Sequence, residues 1–81
     1  MYTEEMSKAF HSHQAPDGFS VEIIDYNDFI AIEIDPENLA SLSYDIQVES
    51  VKYINAVKKS FEELGALVWI SRDAIGEQNG E

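Results

Sequence analysis

The sequence predicts an α+β fold in which a small antiparallel or mixed β-sheet packs on one main helix. Three observations carry that expectation. Apolar and polar residues alternate with period two from Phe19 onward, one apolar stripe at helical spacing covers residues 51–64, and a short apolar run occupies residues 66–70. The expected order of elements is β-β-β-α-β, with a short helix in front.

Each element follows from local chemistry. Residues 3–11 suit a short helix, because Thr3 can cap it, Glu4 and Glu5 fall in the first turn where the helix dipole favours anions, and Met6 and Phe10 share one face. The stretch from His13 to Gly18 reads as a loop around Pro16 and Gly18. Two strands come next. Phe19, Val21 and Ile23 alternate with Ser20 and Glu22, and after Tyr26-Asn27-Asp28 a second run places Ile30, Ile32 and Ile34 between Ala31 and Glu33. A two-residue turn at Asn27-Asp28 sets Glu22 against Glu33, and like charges directly opposite destabilise. A four-residue turn pairs Glu22 with Ala31 instead and preserves the same apolar and acidic faces.

Asp35-Pro36 fits either a turn or a helix start with Asp35 as N-cap. Beyond it, Leu42, Tyr44, Ile46 and Val48 alternate with Ser43, Asp45, Gln47 and Glu49, which predicts a third strand. The competing possibility is one long helix over residues 36–64. Ser50 is positioned to cap a helix whose stripe is Val51, Ile54, Val57, Phe61 and Leu64, with Gly65 ending it. Residues 66–70 then form a strand with apolar groups on both faces, which places it inside the sheet or against another chain. A crossover from a third strand would bring this last strand beside the first. The expected inward set is Val21, Ile23, Ile30, Ile32, Ile34, Leu42, Tyr44, Ile46 and Val48, with Trp69 and the helix stripe as core. The chain thus divides into an N-terminal segment (1–18), one domain (19–71) and a flexible polar tail (72–81).

With 81 residues, no cysteine and a net charge of −11, the chain holds one domain with no disulfides or thiolate metal sites. No apolar run reaches the length of a membrane span or signal peptide, so the expectation is a cytoplasmic protein. The charge is sided. Glu4, Glu5, Asp17, Glu22, Asp25, Asp28, Glu33, Asp35, Glu37 and Asp45 face one base, Lys8, over residues 1–45. Such a field repels nucleic acid and anionic membranes and attracts basic protein surfaces. Lys52, Lys58 and Lys59 are too few to bind nucleic acid directly.

Catalytic signatures are sparse. The serines have no glycine-flanked elbow or local histidine, and the glycines form no phosphate cradle. Strict alternation points Asp25 inward, where desolvation raises a carboxyl pKa, whereas a place at the strand end would have it hydrogen-bond the turn. His11 and His13 near Asp17 lack a third ligand in a motif-like position. No enzyme activity, cofactor or metal is expected. Glu62 and Glu63 oppose the dipole of the helix end, an effect offset by Lys58 and Lys59 four residues earlier.

The outward carboxylates remain. Acids two apart on a strand lie ~6.5 Å from each other, a spacing of the same order as backbone phosphates. Glu22, Glu33, Asp35, Glu37, Asp45 and Glu49 are therefore the candidate partner-binding residues, and a basic, nucleic-acid-binding protein surface is the candidate partner. Phe29, Ile24 and Ala31 neighbour these acids, and apolar groups rimmed by carboxylates are what a protein-binding face presents. In size, acidity and lack of catalytic motifs, the chain resembles small phage and mobile-element proteins that inhibit host enzymes. The alternative is a structural or homodimeric assembly module whose acidity confers solubility.

Overall fold

The computed structural model describes residues 1–71, so the tail expected at 72–81 lies outside the described residues. The elements are α1 (Glu4–Ser12), β1 (Glu22–Asp25), β2 (Ile30–Glu33), α2 (Pro36–Ser41), α3 (Tyr44–Glu63) and β3 (Val68–Ser71). The three strands form one mixed sheet in the order β1-β2-β3. β1 runs antiparallel and β3 parallel to β2. The α+β class with a helix in front is therefore present, and the order of elements differs from expectation in one place.

That place is residues 42–48, which are helical. Asp35 caps α2 by accepting from the amides of Glu37 and Asn38, with Pro36 in the first turn. Leu42 ends α2, and Ser43 caps α3 by accepting from the Ile46 amide at 3.4 Å. Two N-caps outweigh the alternating pattern, because each accepts from amides that a helix start leaves orphaned. At 20 residues, α3 is ~30 Å long, which fits the 32 Å long axis of the molecule. The long-helix alternative was nearer the outcome, interrupted at Leu42-Ser43.

Ser50 accordingly does not cap a helix. It sits mid-helix, fully buried, and its hydroxyl donates to the Ile46 carbonyl at 2.7 Å. The buried stripe of α3 is Ser50, Tyr53, Ile54, Val57 and Phe61. Val51 and Leu64, expected on it, are exposed, and Tyr44, expected inward, is 77% exposed. Gly65 does end the helix, at φ +94°.

Without a third strand, the open side of β2 is taken by β3. The connection through α2 and α3 sets Ile30 beside Val68 and Ile32 beside Ile70. The last strand lies next to the second strand, not the first. The helices cover one face of the sheet. There Met6, Phe19, Ile30, Ile32, Ile34 and Val68 join the α3 stripe in a single core. Edge-to-face ring pairs, Tyr2 with Phe61 and Phe19 with Tyr53, tie the N-terminal segment and the first loop into it. Burial pushes the Tyr53 phenol above its ordinary pKa.

Candidate docking face

Among the described residues no helix lies on the opposite sheet face. Met6 is buried in the core on the helix side and Phe10 packs against that core, so α1 does not cover it. Register and pleat then order its side chains into three rows across the strands. Glu22 lies opposite Glu33, which is level with Ser71; Ile24 lies opposite Ala31, which is level with Trp69. Beyond them, at the hairpin end, Tyr26 stacks on Phe29 with centroids 4.9 Å apart, and Phe29 meets Trp69 edge-on at 5.9 Å. One end of the face is acidic and the other aromatic.

The hairpin turn fixes this register. Asn27 takes φ +75°, and the Asp28 amide donates to the Tyr26 carbonyl at 2.9 Å, a γ-turn. Tyr26 closes the ladder by donating to the Phe29 carbonyl at 3.0 Å. Of the two registers open to the sequence, the short turn prevails and places Glu22 against Glu33. Asp25 stabilises the turn. Its exposed carboxylate pairs with the Met1 ammonium and accepts from the amides of Asn27 at 2.7 Å and Tyr2 at 2.8 Å. These partners, the ammonium foremost, hold its pKa down to about 2. They outweigh the upward push of desolvation, so the net shift is opposite to the one an inward placement by strict alternation implies.

The six carboxylates expected at the site fall in three places. Glu22, Glu33 and Asp35 line one groove with Ser20, Val21 and Ile34. Asp35 is also engaged as the cap of α2, with Glu37 in the first turn behind it. Asp45 and Glu49 lie on α3, where Glu49 pairs with Lys52 at 3.5 Å. Among the described residues the ion pairs involve Asp25, Glu49 and Glu62, and none reaches Glu22 or Glu33. Lys58 pairs with Glu62 at 2.7 Å, as its spacing implied.

Trp69, expected in the core, stands at the site instead. It is 58% exposed, beside Leu67 at 60%, because its side chain stands on the face away from the core, on a strand that is an edge among the described residues. The signal was the apolar character of both faces of residues 66–70, which fits an uncovered edge as well as a buried strand. A serine–histidine contact was also missed: His13 Nε2 lies 2.8 Å from Ser60 Oγ. It joins the first loop to α3 across 47 positions. His11 Nδ1 lies 2.8 Å from the Ser7 carbonyl. No metal-holding group of three such side chains occurs among the described residues, and no helix there is long and apolar enough to cross a membrane.

Comparison of the chain with protein-family models, curated proteins and solved structures returned no match.

Proposed function

We propose that this is a binding protein rather than an enzyme, and that the acidic end of its open sheet face docks on a basic protein surface, of the kind that holds nucleic acid, and blocks it. The observation that carries this reading is the Glu22–Glu33 pair. Like charges directly across a ladder cost stability, yet no base among the described residues neutralises them. A local conflict retained in a fold is a mark of a site. Asp35 in the same groove adds a third carboxylate, and the aromatic row supplies the apolar contact that charge alone does not. The net charge of −11 steers encounter with a cationic partner.

The test separates the groove acids from the helix acids. Capture from the native cell is performed at low and high salt with the protein, with Glu22→Lys/Glu33→Lys, and with Asp45→Lys/Glu49→Lys. A salt-weakened complex lost in the first variant and kept in the second supports the reading. A complex indifferent to Glu22→Lys/Glu33→Lys sinks it.

A second reading, a homodimeric assembly module, draws support from the β3 edge, where Leu67 and Trp69 stand in solvent. Under that reading the acidity serves solubility alone.

A further inference from the structure

We propose that β3 pairs antiparallel with β3 of a second copy of the chain, with the two Trp69 side chains directly across the twofold axis, joining two sheets into one of six strands. The inference deepens the assembly reading and makes no use of the Glu22–Glu33 pair.

The backbone sets the register. The carbonyls of Leu67 and Ser71 accept from the amides of Ile30 and Ile34. Odd-numbered residues of β3 therefore turn their backbone groups toward β2, and Val68 and Ile70 turn theirs to the outer edge. In an antiparallel pair these become the hydrogen-bonded positions, Val68 with Ile70 of the second copy and the reverse. Trp69 then meets its own counterpart at a non-hydrogen-bonded position, where Cα atoms approach to ~4.5 Å. The strand is self-complementary, and the aromatic row of Tyr26, Phe29 and Trp69 continues into the second copy.

Charge selects the occupant. Natural edge strands are shielded by charges, proline or bulges. Residues 65–71 contain no charge and no proline in a chain of net charge −11, and β3 pairs in unbroken register. This edge is where two such copies can approach. Antiparallel pairing also sends their acidic rows to opposite corners. Glu33 is three strand spacings and four residues from its counterpart, about 20 Å, well beyond the ~8 Å screening length at physiological salt. A strand this short buries less than the ~1,200 Å² of a standard interface, so the association is weak and concentration-dependent.

Sedimentation equilibrium from micromolar to millimolar concentration reads the mass, expected to rise from 9.2 kDa toward twice that. Trp69→Lys, which sets two cations across the axis and removes the ring pair, should weaken dimerisation about tenfold or more, with circular dichroism confirming the retained fold. The chain has no cysteine, so single-cysteine variants report register. Trp69→Cys should form an intermolecular disulfide on mild oxidation, since ~4.5 Å lies in the span of such a bond. Leu67→Cys should not, because its counterpart is displaced four residues, ~13 Å, along the strand. A monomer at every concentration overturns both this pairing and the assembly reading. A dimer that links through Leu67→Cys as readily as through Trp69→Cys, or that ignores Trp69→Lys, overturns the pairing and leaves assembly by another surface standing.

Discussion

Glu22 and Glu33 face each other across the β1–β2 ladder with no cation paired to either among the described residues. The pair is held there by the short turn at Asn27, and slipping the ladder by one position would carry Ile23 and Ile32 from the core to solvent. Burial of large apolar groups, ~1.5–3 kcal/mol each, outweighs a repulsion of a few tenths of a kcal/mol.

Replacing one acid of this pair reverses its sign. Glu33→Lys should stabilise the fold by about 0.5–1 kcal/mol at low salt, and the gain should shrink as salt screens the new pair. Urea denaturation midpoints at low and high ionic strength check both parts. The same variant should weaken capture of a basic partner, so that stability and binding move in opposite directions.

Asp25 gives a pH dependence with a defined sign. Its carboxyl is held at about 2 in the fold, below its ordinary 3.8. A depressed carboxyl contributes stability that is fully present above the unfolded value and is lost as pH falls through the folded one. Asp25→Asn should therefore be less stable than the parent at neutral pH, and the gap should close between about pH 4 and pH 2. Chemical denaturation of both proteins across that interval measures it, and the Asp25 side-chain carbon resonance should titrate near the lower limit.

Much of the fold is legible in the chain, and the failure has a local cause. The hairpin, α1 with Thr3 as cap, the Gly65 stop and the final strand follow from alternation and capping chemistry that act over a few residues. Residues 42–48 mislead because Ser50, a polar residue, opens the buried stripe of α3 from inside the helix. Once its hydroxyl bonds to the Ile46 carbonyl it has no unmet donor, and it packs like a small apolar group. Read as polar, it cuts the helix in two and leaves its first half looking like a strand. At the site, pleating places Glu22 with Glu33 and Ile24 with Ala31, but the exposure of Trp69 depends on which face of the sheet the helices cover. That is a property of the whole topology and is not written in residues 66–70.

The two halves of the anticipated helix stripe should separate in mutational cost. Phe61 is fully buried and touches the Tyr2 ring edge-on, whereas Val51 is 49% exposed. Phe61→Ala should cost ~3–5 kcal/mol, enough to bring an 81-residue domain near the ~5 kcal/mol lower end of native stability. Val51→Ala should cost under ~0.5 kcal/mol, as surface substitutions do. Thermal and urea unfolding of the pair decide it, and comparable losses would restore the stripe beginning at Val51.

Ser43 and Ser50 provide the sharpest distinction between one long helix and a helix that starts at residue 51. Ser43 Oγ accepts from the Ile46 amide, a donor that has no carbonyl four residues earlier within α3. Removing that oxygen in Ser43→Ala should cost ~1 kcal/mol, the usual worth of an N-cap. Ser50 Oγ instead donates to the Ile46 carbonyl from inside the helix. In Ser50→Ala donor and oxygen leave together, the carbonyl stays within a continuous helical ladder, and alanine has the higher helix propensity by up to ~0.7 kcal/mol. Ser50→Ala should therefore be neutral within ~0.5 kcal/mol or slightly stabilising. Denaturation midpoints of the two variants should fall on opposite sides of this divide, and a cap-sized loss at Ser50 with none at Ser43 would move the start of α3 to residue 51 and return residues 42–48 to the sheet.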